Sequence, residues 1–85
     1  MKKEKRWILI ELRKNMSMSQ KDVVTTLRED FGIKITDSYY GMIEQGVRNP
    51  SLKLALSIAK IFNSNPEEIF FKQKYNKTLC GREVI

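Results

Sequence analysis

Between Ser19 and Ser51 the chain is cut into pieces too short for anything but small helices. Ser19 with Asp22 three residues on is a near match to a capping box. Gly32 stands where a left-handed residue ends a helix. Thr36 or Asp37 offers the next cap, Gly46 follows that helix's last turn, and Asn49-Pro50-Ser51 marks a turn with a further cap. Inside these limits the apolar residues recur at helical spacing. Val23, Val24 and Leu27 form one inward face; Tyr40, Ile43 and Glu44 fall at i, i+3, i+4 and form another. The expectation is two helices over residues 19–31 and 36–45, with Ile33, Lys34 and Ile35 alternating in an extended linker between them.

The same punctuation extends both ways. Residues 4–15 read as a first helix with Leu9, Leu12 and Arg13 on one face and Met16 continuing it, while Trp7, Ile8 and Ile10 lie partly off that stripe. Ser51 caps a fourth helix to about residue 62. Leu52, Ala55, Leu56, Ala59 and Phe62 form one stripe on it, and Leu54, Ile58 and Ile61 a second, so this helix expects two neighbours. Asn65-Pro66-Glu67-Glu68 supplies a cap, a proline at the first helical position and acids against the dipole, opening a short fifth helix anchored by Ile69 and Phe70. Residues 72–85 show no period. The fold class is therefore all-α: a five-helix domain over residues 1–71 and a C-terminal tail, 72–85, that packs or dimerises.

Composition removes several functions. There is no histidine and only one cysteine, Cys80, so no internal disulfide forms, the usual nitrogen and sulfur ligands of a zinc site are missing, and no Ser/His or Cys/His nucleophile can be assembled. No apolar run reaches the ~18 residues of a membrane span. The basic, apolar start resembles a leader, but Glu11 and Arg13 interrupt it and no small-residue cleavage site follows. The expectation is a cytoplasmic protein, not an enzyme, with no cofactor, metal, membrane or small-molecule partner. The net charge of +6 is concentrated at the ends: residues 1–14 carry six basic and two acidic side chains, residues 72–85 four and one. A cationic surface attracts a polyanion and releases its counterions. A short second helix presented from a small basic domain is a means of placing side chains in the DNA major groove.

Several pieces, in order, carry a family likeness: Leu9-x-x-Leu12-Arg13, Ser19-Gln20, Tyr40-x-x-Ile43-Glu44-x-Gly46, Asn49-Pro50-Ser51-Leu52 and the closing Asn65-Pro66-Glu67-Glu68-Ile69-Phe70. The stretch from residue 9 to 70 resembles the helix-turn-helix domain of the phage lambda repressor and Cro class, the Xre family. That resemblance implies a five-helix lambda-repressor-like bundle that binds palindromic operators as a dimer. It implies that Gln20 contacts a phosphate and supports the recognition helix, that Asp37, Ser38 and Met42 face base edges, and that Asn49 donates to phosphate. It also implies a structural ion pair between Arg13 and Glu44. Lys34, Thr36, Tyr39 and Arg48 complete the expected DNA-binding set, with Tyr39 and Lys34 assisting base readout alongside apolar contacts to thymine methyls. The chain departs from the family in one spacing. Gln20 and Thr36 lie sixteen residues apart, longer than is usual, and the extra residues fall within 28–35, lengthening the second helix or the turn.

The resulting expectation is a sequence-specific transcriptional regulator, a repressor acting as a homodimer on double-stranded DNA, with Leu54, Ile58 and Ile61 at the dimer axis. Two alternatives stand beside it. One is an antitoxin that uses the same DNA-binding module and docks its tail on a toxin. The other is a protein-interaction module that binds no DNA.

Overall fold

The caps decide where the elements begin. In a computed structural model, which describes residues 4–71, the chain forms α1 Trp7–Asn15, α2 Gln20–Phe31, α3 Asp37–Glu44, α4 Leu52–Ile61 and α5 Glu67–Phe71, the last a turn of π-helix. At α2 the capping box is complete: Ser19 Oγ accepts from the Asp22 N–H at 3.0 Å, and Asp22 Oδ2 accepts from the Ser19 N–H at 2.9 Å. At α3 the Thr36 hydroxyl accepts from the Tyr39 N–H at 3.0 Å. Thr36 is thus the cap, and Asp37 stands in the first turn against the positive end of the helix dipole. Ser51 caps α4 through the Leu54 N–H at 3.2 Å, and Asn65 Oδ1 takes the Glu67 N–H at 2.9 Å ahead of α5.

The first helix departs from the sequence expectation. It starts at Trp7 rather than at residue 4, and Arg6 before it makes no side-chain cap. The physical reason is that residues 4–6 are committed elsewhere. The Arg6 N–H donates to the Glu44 carbonyl at 2.8 Å, at the far end of α3, and the Glu4 backbone lies directly against Gly46. The residues before α1 form a strap across the end of α3.

The additional residues between Gln20 and Thr36 are divided between helix and linker. Residues 28–31 extend α2. Gly32 then turns left-handed at φ 69°, with its N–H donating to the Arg28 carbonyl at 3.2 Å and the Ile33 N–H to that of Leu27 at 2.9 Å. Phe31, Ile33 and Ile35 are half-buried against the core, so the linker is anchored along its length, and Lys34 between the two isoleucines is exposed.

α2 lies between α3 and α4, and α1 packs on α3 and α5. Leu9, Val23, Leu27, Tyr40, Ile43, Ile58 and Ile69 are fully buried, each contributing roughly 1.5–3 kcal/mol by leaving water. Leu54, Ala55, Ala59 and Phe62 complete the core from the α4 side. This corrects the expected dimer surface. Leu54 and Ile58 belong to the chain's own core and Ile61 packs against it, so these residues are not a free stripe for a second copy. α4 is rotated so that its buried face is centred between the two apolar stripes. Leu52 (67% exposed) and Leu56 (47%), assigned to the buried stripe by spacing alone, point outward instead. Trp7 is also exposed, with the Lys5 Nζ 5.1 Å from its ring centroid. The tail residues Leu79, Val84 and Ile85, with Cys80, lie outside the described residues.

Candidate nucleic-acid interface

The site is built around α3, whose two sides have opposite characters. Tyr40, Ile43 and Glu44 are buried; Asp37, Ser38 and Gln45 are exposed, with Met42 and Gly41 half-exposed. Among the described residues, the side chains of Asp37, Ser38 and Met42 make no hydrogen bond or ion pair. The outward face is free to read something; the inward face is fixed.

What fixes it is one carboxylate. Glu44 accepts from Arg13 twice, Nε to Oε2 at 2.6 Å and Nη2 to Oε1 at 3.1 Å, and from Gln20 Nε2 to Oε1 at 3.0 Å. The side chains of Arg13 and Glu44 are 12% and 3% exposed. Arg13 also donates through Nη1 to the Met18 carbonyl at 3.0 Å, tying the α1–α2 turn to the same post. The Glu44 hydrogen bond holds the Arg13 guanidinium above its ordinary pKa. One buried charge therefore locks α1, α2 and α3 together, and the fork geometry of arginine sets their mutual angle. Gln20 contributes a second constraint. Its amide lies across Gly41, where an added Cβ would stand 3.4 Å from Oε1, so α2 approaches α3 closely because position 41 has no side chain. Gln20, expected both to contact a phosphate and to support the recognition helix, turns its amide toward α3.

Tyr40 lies beside this post with its hydroxyl buried and without a hydrogen-bond partner among the described residues. Burial first, and then the neighbouring Glu44 charge, push the phenol well above its ordinary range, so it stays protonated and neutral.

The other end of α3 is closed by a residue that sequence reading missed. Arg6, 9% exposed, donates through Nη1 to the carbonyls of Ile43 at 2.7 Å and Arg48 at 3.2 Å, and through Nη2 to Asn49 Oδ1 at 2.8 Å. Its Cζ also lies 5.3 Å from the centre of the Phe70 ring. The bond to Ile43 meets a carbonyl in the last turn of α3, the bonds to Arg48 and Asn49 tie down the loop that follows, and together they place a cation at the negative end of the dipole. Burial lowers the pKa of this guanidinium. Loop amides help in the same way: those of Val47 and Arg48 donate to the Met42 carbonyl at 2.9 and 3.2 Å. No local signal marked Arg6. It is one of several basic residues near the start of the chain, and its function depends on contacts some forty positions away.

The remaining expected residues fall around α3. Arg48 and Asn49 are exposed beyond its C-terminal end, with the oxygen of Asn49 held by Arg6. At its N-terminal end Lys34 is exposed, the Thr36 hydroxyl is occupied as a cap, and Tyr39 is half-buried and packs against the core. Lys34, Thr36 and Tyr39 line, with Ser51, Lys53 and Leu54, a groove of about 470 Å³ between the linker and the start of α4. The outer face of α3 therefore lies between two exposed cations, Lys34 before the helix and Arg48 beyond it, and exposed cations favour contact with a polyanion. No group of histidine, cysteine and acidic residues that could hold a metal ion, and no helix long and apolar enough to cross a membrane, occurs among the described residues.

The model of a helix-turn-helix family, HTH_3, matches residues 9–69, a span running from the first buried leucine to the last buried isoleucine of the core. Comparisons with curated proteins and with solved structures return no match.

Proposed function

The chain belongs to the lambda-repressor-like (Xre) helix-turn-helix family, a family of DNA-binding transcription regulators, and from that premise we propose that it is a repressor that reads a palindromic operator in double-stranded DNA as a homodimer. The observation that carries this reading is the contrast across α3: its inner face is locked by the Arg13–Glu44–Gln20 post, while the side chains of Asp37, Ser38 and Met42 on the outer face have no hydrogen-bond or ion-pair partner among the described residues. A helix held this rigidly enters the major groove without paying to order itself.

In this reading Ser38 and Met42 touch base edges, the methionine by apolar contact with a thymine methyl, and Asp37 accepts from a cytosine amino group. Lys34, Thr36 and Tyr39 serve at one end of the helix and Arg48 and Asn49 at the other, where Arg48 and Asn49 meet phosphates. The half-exposed amide of Gln20 reaches a phosphate with the hydrogen that Glu44 does not take. Two copies place their recognition helices about one DNA turn apart, ~34 Å. Leu52 and Leu56, exposed on α4, are the apolar residues available for self-association on that helix. Bound operator excludes polymerase or a competing regulator, and the chain acts in the cytoplasm, where the DNA is.

Affinity measured against salt tests this reading. A dimer neutralising ~6–10 phosphates gives a slope of log K against log salt of about −5 to −9. A slope near zero on every duplex tried contradicts DNA binding.

A further inference from the structure

We propose that Arg6 is a positioning residue for DNA binding: it sets the direction of the Asn49 side chain so that the amide N–H, and not the amide oxygen, meets a backbone phosphate. This rests on the DNA-binding reading above.

The two ends of an asparagine amide have opposite hydrogen-bond character, and an unrestrained side chain exposes either one. A phosphate only accepts, so one of the two orientations binds and the other repels. Arg6 removes the choice. Its Nη2 donates to Asn49 Oδ1 at 2.8 Å, and guanidinium has no acceptor to offer. Turning the amide over would set donor against donor. The nitrogen of Asn49 is therefore directed away from Arg6, on an exposed residue, and has no partner among the described residues.

Arg6 is itself held firmly enough to act as a reference point. Two carbonyls, of Ile43 and Arg48, take its Nη1, and the Phe70 ring lies against the guanidinium. None of its hydrogen bonds among the described residues goes to a carboxylate, so its charge is not cancelled locally. A cation on the amide oxygen polarises the amide and strengthens its N–H as a donor toward an anion. The arrangement also couples two events: the strap at residues 4–6 must be seated on α3 before Asn49 is aimed.

The test is a double-mutant cycle on duplexes enriched from a random pool by the parent chain, with affinity measured across a salt series and folding checked by circular dichroism. Asn49→Ala is expected to weaken binding about tenfold, as loss of one hydrogen bond to a charged group does, and Arg6→Ala by about two- to fivefold, because the freed amide still turns its N–H to the phosphate part of the time. The double variant should be no weaker than Asn49→Ala, because Arg6 acts only through that contact. Asn49 is neutral and Arg6, buried with its donors on protein oxygens, neutralises no phosphate itself, so the salt slope should stay at the parent's value in all three. Arg6→Met, which keeps the length of the side chain and offers Asn49 no donor, carries the same cycle if Arg6→Ala does not fold. Independent, multiplying effects would make Arg6 a structural residue only and overturn the proposal. A fall of about one in the salt slope on replacing Arg6 by alanine would mean that it neutralises a phosphate itself, and would also overturn it. A parent chain that enriches no duplex defeats the DNA reading and this proposal together, whereas binding with independent effects defeats the proposal alone.

Discussion

Arg13→Ala is expected to lower the stability of the fold by about 3 kcal/mol. The change leaves the Glu44 carboxylate, 3% exposed, with Gln20 Nε2 as its remaining side-chain donor. A buried charge stripped of its counter-ion costs ~3–5 kcal/mol, and the surviving Gln20 bond puts this case at the lower end. The loss reaches beyond the pair, because Arg13 also holds the Met18 carbonyl at the entrance to α2. Urea unfolding should show a lower midpoint with an unchanged m-value. Replacing Arg13 and Glu44 together should cost less than the two single losses added, since the double variant buries no orphaned charge. A loss under about 1 kcal/mol for the single variant would mean that solvent reaches the pair.

Gly46→Ala should be the second large effect, and Gly32→Ala provides its internal control. Both glycines are left-handed, at φ 80° and φ 69°. The backbone conformation alone therefore costs each alanine variant a similar ~1–2 kcal/mol. Their surroundings differ. An added Cβ at Gly32 meets nothing within 4 Å, whereas at Gly46 it would stand 2.0 Å from the Glu4 carbonyl oxygen. That neighbour is backbone and cannot swing aside. The strap must lift, giving up the Arg6 N–H bond to Glu44 and loosening the guanidinium contacts. At a net ~1 kcal/mol for each bond lost, Gly46→Ala should cost about 2 kcal/mol more than Gly32→Ala. Equal losses in thermal or urea unfolding would show that the strap is not seated on α3.

These two sites illustrate what could and could not be read before the structure was known. The caps are legible because their chemistry is local: Ser19 with Asp22, Ser51 and Asn65 each satisfy helix donors within three residues, and at α3, where Thr36 and Asp37 are both cap residues by type, geometry selects Thr36. The left-handed turns at Gly32 and Gly46 were legible for the same reason. The periodicity of the inner face of α3 placed Tyr40, Ile43 and Glu44 together because a helix of eight residues leaves few choices. Spacing failed where the answer lay in another element. On α4 nearly every position facing inward or sideways is apolar, so periodicity alone cannot fix the rotation, and the neighbours that turn Leu52 and Leu56 outward are remote in sequence. The start of α1 is hidden from the sequence because residues 4–6 are compatible with helix and are drawn out of it by acceptors at residues 43–49. The Arg13–Glu44 contact and the Gln20 amide beneath α3 involve long-range geometry that the family resemblance anticipated in part, and Arg6 had no counterpart in it.

The central claim is that the outer face of α3 reads base sequence. Selection of bound sequences from a random pool of duplex DNA tests it most directly, run in parallel on the parent chain and on Ser38→Ala and Met42→Ala. The parent should enrich one two-fold symmetric sequence, and each variant should change the preferred base at one or two positions of it, by ~1–3 kcal/mol in relative affinity. A parent that enriches nothing, or variants that enrich the parent's sequence unchanged, would contradict it.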